Sequence, residues 1–348
     1  MKLAYLFPEE LPMRHARGVQ AVNTVWALAK QLEVLFLPAR FSEKAREFYG
    51  LPAQGPYIIP VSRQWGPFKW HFLYLFRILP HLRRVALVYT RHLKTAWWLL
   101  RLRPIHRRPV FYEAHELFAE KNPSWKKKED QVLQGVQALI CVSHGLRRAI
   151  EERVSRTAHV VPNGTHWEEL DLRKKFASCA SEFYYVGSLR YSWKGGDTLY
   201  QALEFLPSEL KLVVIGAEGR AHPQIIWQGY IPPSQSRQAL KRAQIAVLPN
   251  SAQNRQSREY TCPLKLLDYM AAGCAIVASD LPSVREIVSE KEALFVPPDD
   301  PRALAQGIKA LWQEQDLRYR LAQAAHQRAQ AFSWEARAQH LQRICFAL

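Results

Sequence analysis

Two cations flank a glycine-containing turn in the second half of the chain, and they could hold phosphate groups. Arg190 ends the turn that begins at Gly187, and Lys194 follows it, directly before Gly195 and Gly196. The apolar run 183–186 predicts a strand before the turn, and helical apolar spacing follows the last glycine. A guanidinium and an ammonium beside a helix N-terminus suit a phosphate. We therefore predict a phosphate site at this turn.

The stretch 260–273 offers similar chemistry. Apolar residues recur at helical spacing from Leu264, and Gly273 follows where a C-cap glycine ends a helix. Lys265 adds a full charge to the partial positive charge of the first turn, which suits an anion such as a diphosphate. Asp268, one turn further on, could accept hydrogen bonds from sugar hydroxyls. The alternative is an ordinary crossover helix with Asp268 on a solvated face.

A histidine follows a predicted strand in the first half. The strand 109–112 leads into Glu113-Ala114-His115-Glu116. A histidine at the carboxyl end of a parallel strand lies at the edge where open α/β sheets bind ligands. A histidine that only caps a loop is the alternative interpretation.

Residues 63–109 contain many cations and no acidic residue. Aromatic rings interleaved with cations favour a segment at a membrane interface, where rings reach the headgroups and cations meet acidic phosphates. Binding of single-stranded nucleic acid, or core-packed helices with basic outer faces, are the alternatives. For contact with an acceptor or a membrane we predict these residues: Arg17, Trp65, Lys69, Trp70, Arg77, Arg83 and Arg84.

Composition limits the class of protein. The chain has 348 residues, of which 48% are hydrophobic, and a formal net charge of +17. This length predicts two domains with packed cores, and the charge predicts a negatively charged partner. The five cysteines form no C-x-x-C pair, which favours a reduced, cytosolic chain without a metal site or disulfide framework. No apolar run is long enough to cross a bilayer, and the N-terminal run predicts a first strand rather than a signal peptide.

The order of elements predicts an α/β fold with two doubly wound halves. Strands and helices alternate from the N-terminus, as in a Rossmann-like domain, but the G-x-G-x-x-G fingerprint is absent, so a dinucleotide cofactor is not supported. We predict a first domain over 1–166 and a second over 182–332. The stretch 167–181 loses apolar periodicity and carries mixed charge, which predicts a linker.

The residues in this order resemble the family-4 retaining glycosyltransferases of the GT-B fold (glycosyl transferases group 1). The shared segments include, in chain order, Arg17-Gly18, Glu113-Ala114-His115-Glu116, Val161-Pro162-Asn163-Gly164, Val186-Gly187-Ser188-Leu189-Arg190, Lys194-Gly195-Gly196, Pro263-Leu264-Lys265-Leu266-Leu267-Asp268-Tyr269-Met270-Ala271 and Phe295-Val296-Pro297-Pro298-Asp299-Asp300. The resemblance implies two Rossmann-like domains that face each other across a cleft. It also implies that residues 333–348 form a helix that packs back on the first domain.

The resemblance further implies sugar transfer from a nucleotide diphosphate, with retention and without a metal or other cofactor. Arg190 and Lys194 would stabilise the departing diphosphate, and His115 would lie near the transferred sugar. The remaining predicted donor contacts are Gly18, Gly187, Leu264, Lys265, Asp268 and Glu259. Asp268 stands at the second glutamate of the family's E-x7-E motif. The first falls at Tyr260, so that Glu259 lies one residue early.

We therefore expect a glycosyltransferase that acts on a lipid-linked or cell-envelope glycan. Its expected location is cytoplasmic and peripheral, at the inner face of the plasma membrane. The expected partners are a nucleotide-sugar donor, a glycolipid or glycan acceptor and an anionic membrane surface, without nucleic acid. A non-catalytic or hydrolytic relative that binds a sugar nucleotide is one alternative. A basic nucleic-acid-binding protein is the other.

Overall fold

The computed structural model describes residues 2–65, 68–69, 71–178 and 180–347. The chain divides into two compact units. The first unit extends to Pro162 and includes the stretch from Trp334 onwards, whereas the second spans Asn163–Ser333. Cys179 lies outside the described residues, and the other four cysteines are buried free thiols.

The first unit is built on a parallel sheet of seven described strands, in the order β3-β2-β1-β6-β7-β8-β9. A separate antiparallel pair is formed by β4 and β5. The strands of this unit are β1 (Lys2–Leu11), β2 (Glu33–Phe41), β3 (Tyr57–Ile58), β4 (Gln64–Trp65), β5 (Phe68–Lys69), β6 (Leu87–Thr90), β7 (Val110–Ala114), β8 (Ala138–Cys141) and β9 (His159–Val160).

Helices connect these parallel strands, because parallel neighbours need a crossover connection rather than a tight turn. They are α1 (Ala16–Ala29), α2 (Lys44–Tyr49), α3 (His71–Leu82), α4 (Leu93–Arg101), α5 (Arg103–His106), α6 (Phe118–Lys121), α7 (Lys126–Gly135) and α8 (His144–Val154). Helix α1 buries Val22, Val25 and Trp26, the stripe that the apolar spacing predicts. It begins at Ala16, so that Gly18 belongs to its first turn.

The second unit contains a parallel sheet of six described strands in the order β12-β11-β10-β13-β14-β15. They are β10 (Glu182–Val186), β11 (Lys211–Ile215), β12 (Ile225–Trp227), β13 (Ile245–Leu248), β14 (Ala275–Ser279) and β15 (Ala293–Val296). Its helices are α9 (Leu172–Lys175), α10 (Gly196–Ala202), α11 (Pro233–Leu240), α12 (Leu264–Ala271), α13 (Pro282–Arg285), α14 (Pro301–Gln313) and α15 (Gln315–Ala329). The strand order reverses between β10 and β13, which creates a ligand-binding switch point.

The stretch 167–181, predicted as a linker, lies inside the second unit. Leu172 and Phe176 are buried in the hydrophobic core of this unit. Lys175 donates hydrogen bonds to the carbonyls of Ala272 (2.6 Å) and Gly273 (2.9 Å). Leu172 and Phe176, with Ala180 and the hydrogen bonds of Lys175, therefore anchor a segment that carries many charges. The first unit accordingly ends at residue 162 rather than 166.

The last helix, α16 (Trp334–Phe346), belongs to the first unit and contacts α1. Trp334, Ala338 and Leu341 on this helix are buried. Arg337 is also buried, because its guanidinium pairs with a carboxylate of the sheet. No helix among the described residues combines the length and the apolar character needed to cross a membrane.

Candidate active site

A glycine lies at the switch point of the second sheet. Gly187 follows β10, has φ of +123°, and donates its N–H to the carbonyl of Ile215 at 2.7 Å. Gly216, at the end of β11, lies against the Gly187 backbone. A residue with a side chain is strained at this φ, so a glycine is favoured here. The absence of a side chain leaves the carboxyl edge of β10 open to a ligand.

Two ammonium groups converge on this glycine. A Cβ atom built on Gly187 would lie 3.8 Å from Lys194 Nζ and 3.9 Å from Lys265 Nζ. Lys265 donates a hydrogen bond to Tyr185 Oη at 3.0 Å, and its ammonium lies 4.1 Å from the centre of that ring. The Lys194 ammonium lies 5.0 Å from the ring of Tyr191. The structure therefore brings together two of the predicted donor cations beside predicted Gly187.

Both lysines lack a carboxylate partner among the described residues, and burial lowers the pKa of each. Burial, with the repulsion of Lys194 as the second cause, lowers the pKa of Lys265 well below its usual range. Two desolvated cations so close together cost free energy unless an anion joins them. The arrangement suits a ligand with at least two negative charges.

Arg190, the third predicted cation, lies in the same loop with its side chain exposed. Its backbone N–H donates to Ser188 Oγ at 3.3 Å. Within the described part of the chain its guanidinium makes no hydrogen bond or ion pair. Arg190 is thus available to a ligand, but the structure does not bring it to Gly187 as it does the two lysines.

Helix α12 opens beside these ammonium groups. It begins at Leu264 after Pro263, and the first N–H groups of a helix have no acceptor within it. Pro263 occupies the cap position and offers no side-chain cap. The predicted contacts Leu264 and Lys265 therefore form the first turn, whose partial positive charge adds to that of the lysines.

Asp268 lies one turn further along α12. Thr165 donates a hydrogen bond to its carboxylate at 2.8 Å. Burial raises the pKa of Asp268, while the Thr165 hydrogen bond and the charge of Arg237 oppose that shift. The side chain is partly exposed, so a carboxylate oxygen can still accept a hydrogen bond from a ligand hydroxyl.

Glu259 is held by two neighbouring arginines. Arg255 Nε lies 2.9 Å from one carboxylate oxygen, and Arg258 Nη2 lies 2.9 Å from the other. Although partial burial favours the neutral acid, these hydrogen bonds keep the pKa of Glu259 below its usual value. Tyr260, where the family motif has its first glutamate, is fully buried. Glu259 is thus an ionised carboxylate that two guanidinium groups already share.

In the first unit, His115 follows β7 at the carboxyl edge of the sheet. Its Nε2 lies 2.9 Å from Oε1 of the buried Glu113. Burial, and then the nearby charge of Arg91, lowers the pKa of His115 to about 4, although Glu113 opposes this shift. The imidazole is therefore neutral at neutral pH.

A cavity of about 480 Å³ opens at the same edge of the first sheet and is lined by Glu9, Glu10, Met13, Arg17, Arg63 and His92. Arg17 Nε forms an ion pair with Glu9 at 2.9 Å. Gly18 does not border open space, because a Cβ atom there would lie 2.4 Å from Met13 Cγ and 2.6 Å from Tyr49 Oη. The structure thus gives Gly18 a packing role and Arg17 a place at a cavity.

The basic aromatic segment has a buried face and an exposed face. Tyr74 and Ile78 of α3 are buried, whereas Phe72 and Phe76 are 61% and 66% exposed. Arg77 is exposed and donates to the carbonyl of Ser62, and Arg83 and Arg84 are exposed beyond the helix. Trp65 and Lys69 belong to β4 and β5, and Trp70 lies outside the described residues. Core packing and an outward basic aromatic surface therefore occur on the same helix.

Several residues at these edges carried no signal in the sequence. Tyr185 is one apolar residue of an apolar strand, yet its hydroxyl and ring hold Lys265. Arg63 and His92 occur among many cations and histidines, and only the fold brings both to one cavity. Arg337 pairs with Glu113 across 224 positions of the chain, and no local pattern marks such a pair.

Two family models match the chain in succession. The model described as Glycosyltransferase Family 4 matches residues 18–168, and the model described as Glycosyl transferases group 1 matches residues 180–314. Their order is the order of the two units.

Curated relatives match part of the chain. The phosphatidyl-myo-inositol mannosyltransferase of Mycobacterium tuberculosis is 25% identical over 231 residues, which cover 59% of this chain and 58% of that protein. The D-inositol 3-phosphate glycosyltransferase of Xylanimonas cellulosilytica is 30% identical over 159 residues, which cover 41% of this chain and 36% of that protein. The chain therefore matches less than two thirds of the length of either relative.

Solved structures match over both units. Anabaena Alr3699/HepE in complex with UDP and glucose has a TM-score of 0.77 at 16% identity, with 100% of each chain covered. WaaG, a glycosyltransferase involved in lipopolysaccharide biosynthesis, has a TM-score of 0.69 at 13% identity, with 98% of this chain and 99% of that chain covered. At these identities the likeness concerns the fold. From the two family models and this shared fold, the chain belongs to the family-4, group 1 glycosyltransferases of the GT-B fold.

Proposed function

We propose that the chain transfers a sugar from a nucleoside-diphosphate donor to a lipid-linked or cell-envelope acceptor. The observation that carries this proposal is the pair of ammonium groups of Lys194 and Lys265 at Gly187, beside the first turn of α12. The HepE structures that share the fold contain UDP or UDP-glucose. A diphosphate at this switch point supplies the anion that the two desolvated cations require.

The reaction breaks the bond from the anomeric carbon to the diphosphate and forms a bond from that carbon to the acceptor oxygen. The hydroxyl proton leaves the acceptor, and the diphosphate departs with the bonding electrons. Fixed cations that face this developing charge lower the barrier because they need no rearrangement during the reaction. Lys194, Lys265 and Arg190 fill this role without a metal. Retention requires the new bond to form on the face that the diphosphate leaves.

The first unit would bind the acceptor and contact the transferred sugar. Neutral His115 can exchange hydrogen bonds with sugar hydroxyls without adding charge to the reaction centre. In the cavity Arg17 is paired with Glu9, so Arg63 offers its guanidinium to a phosphorylated acceptor. Both curated relatives are named for a phosphorylated inositol, which supports an acceptor of this chemical class.

The exposed face of α3 would bind an anionic membrane on the cytoplasmic side. Phe72 and Phe76 lie one helical turn apart and are exposed, and Arg77 lies beside them. Aromatic rings and cations on one face are typical of helices that insert into the headgroup region. We expect the chain to float with vesicles that contain acidic phospholipid. Replacing both phenylalanines by serine should abolish flotation, whereas equal flotation of this variant would contradict membrane contact by α3.

The test of the proposed function is transfer of radiolabelled sugar from UDP- and GDP-sugars to extracted lipid and glycan acceptors. We expect labelled product with the native chain and none with Lys194→Ala or Arg190→Ala. Lys291→Ala removes an exposed lysine of the same unit and should leave transfer unchanged. Donor binding or hydrolysis without transfer to any acceptor would instead identify a non-transferring relative. Salt-sensitive RNA or DNA binding that UDP and GDP leave unaffected would indicate a nucleic-acid binder.

A further inference from the structure

A carboxylate in the centre of the first unit collects hydrogen-bond donors from several elements. Glu113 on β7 is fully buried. Its Oε1 accepts from Gln20 Nε2 of α1 at 2.8 Å and from Arg337 Nη2 of α16 at 2.5 Å. Tyr89 of β6 donates its hydroxyl to Oε2. His115 Nε2 lies 2.9 Å from Oε1, so that the ring of the predicted sugar-contacting histidine faces this carboxylate.

Arg337 ties this carboxylate to the end of the first unit. Its side chain is 1% exposed, and besides Glu113 it donates to the carbonyls of Val161 at 2.7 Å and Pro162 at 2.5 Å. It also donates to Thr24 Oγ1 of α1 at 3.1 Å. A buried guanidinium with this many acceptors has one geometry, because its planar fork fixes the direction of each hydrogen bond. The terminal helix therefore holds the Glu113 carboxylate in place.

We propose that Glu113 is the positioning residue of His115 and that Arg337 of the terminal helix keeps it in that role. The Nε2–Oε1 contact is an ion-pair contact without hydrogen-bond geometry, so the carboxylate acts on the ring through its charge. A negative charge at this distance favours the tautomer with its proton on Nε2 over the tautomer with a lone pair there, and His115 is thereby held as the Nε2–H tautomer. The part of this inference that concerns catalysis rests on the proposed function. The part that concerns how His115 is held does not depend on that function.

The electrostatic surroundings support an ionised carboxylate. Burial alone would raise the pKa of Glu113. The charge of Arg337, with that of Arg91, outweighs burial and holds this pKa well below its usual range.

Two tyrosines also face the cluster, Tyr5 from β1 and Tyr89 from β6. Burial and the Glu113 charge raise the pKa of both, so both remain neutral. Of the two, Tyr89 donates its hydroxyl to Glu113, which is thus the charged acceptor for neutral and cationic donors. At neutral pH the Glu113 carboxylate is therefore ionised and both tyrosines are neutral.

The test compares two double variants that each remove a buried ion pair of the first unit. Glu113→Gln with Arg337→Met removes the pair at His115 without leaving one charge buried alone. The glutamine can present either its oxygen or its N–H₂ to the histidine, so the tautomer is no longer fixed. The control, Glu129→Gln with Arg153→Met, removes a second pair, in which Glu129 is 1% exposed and lies 2.7 Å from Arg153.

The first readout is the tautomer of His115, from ¹⁵N chemical shifts of histidine-labelled protein assigned with His115→Asn. We expect a single Nε2–H tautomer in the native chain and in the control variant, and a mixture of tautomers in Glu113→Gln/Arg337→Met. A single unchanged tautomer in that variant would overturn the proposal. Arg337→Lys keeps a cation on the terminal helix, and we expect it to restore much of the native tautomer signal. If the double variant does not fold, Glu113→Gln with Arg337→Gln, which also leaves no single charge buried, provides the same comparison.

The second readout is the kinetics of sugar transfer. We expect kcat to fall by about 10- to 100-fold in Glu113→Gln/Arg337→Met, as is typical when a partner that orients a functional histidine is removed. The KM for the donor should change by less than about 3-fold, because the lysines that bind the diphosphate are untouched. Equal losses of kcat in this variant and in the control would overturn the positioning role in catalysis. If the native chain transfers no sugar, the proposed function fails, and the tautomer measurement alone decides the positioning of His115.

Discussion

Removal of either ammonium group at Gly187 should weaken the binding of a nucleoside diphosphate far more than removal of a comparable lysine elsewhere. The perturbations are Lys194→Met and Lys265→Met, which keep most of the side-chain volume. The matched control is Lys175→Met, because burial also lowers the pKa of Lys175, and its ammonium binds backbone carbonyls of the same unit.

The structure sets the size of the effect. The space at Gly187 lies 3.8 and 3.9 Å from the two Nζ atoms. At about 4 Å and an effective dielectric constant of about 20, one pair of unit charges interacts by about 4 kcal/mol. Part of this is offset by the hydration that each ion loses. The net loss per lysine should therefore be that of a charged hydrogen bond, about 1.5–3 kcal/mol, or about 10- to 150-fold in Kd.

Isothermal titration calorimetry with UDP, GDP, ADP and CDP measures this directly. The nucleotide that binds the native chain most tightly is then titrated into each variant at one salt concentration. We expect a loss of about 10-fold or more for both site variants and a change of less than about 3-fold for Lys175→Met. If the two site variants bind as tightly as the control variant, the phosphate site does not lie at Gly187.

Three further outcomes follow from the same structure. The pKa of Lys265 is lowered well below its usual range, and a bound diphosphate would raise it, so donor binding should take up protons. The affinity for the donor should therefore fall as pH rises through the lowered pKa. Calorimetry in buffers of different ionisation enthalpy measures the proton uptake. Gly187→Ala should weaken nucleotide binding more than Gly229→Ala, since both have positive φ but only Gly187 borders the two lysines. Leu172→Ala should lower the free energy of unfolding, measured in urea, by about 2–4 kcal/mol. A much smaller loss, typical of an exposed side chain, would favour the linker interpretation.

Much of the fold could be predicted from local patterns. Apolar runs such as 245–248 form strands that are buried on both faces, as parallel strands are, and Gly273 ends α12 with φ of +65°. The stretch 167–181 could not be assigned correctly, since charged residues surround the apolar side chains, Leu172, Phe176 and Ala180, that are buried in the core. The charged residues show which side chains face solvent, whereas the few buried apolar side chains decide which unit the segment joins.

The candidate site also contains some residues that could be predicted from local patterns and others that could not. Lys194 and Lys265 could be predicted because each lies near a glycine or a helix start, and such local features have a direct electrostatic meaning. The contact of Lys265 with Tyr185 and the pairing of Glu113 with Arg337 could not, because they join distant segments. At Gly18 the structure adds a packing reason for glycine, since Met13 and Tyr49 leave no room for a Cβ atom, and its backbone contact with a donor stays a prediction.

The most direct test of the central claim is single-turnover transfer with a labelled nucleotide sugar, with nucleoside diphosphate and glycosylated product measured together. The native chain should release one diphosphate for each sugar that reaches the acceptor. Lys194→Met should slow both steps equally, while Lys175→Met should slow neither. Transfer by Lys194→Met at the native rate would contradict a phosphate site formed by Lys194 and Lys265 at Gly187.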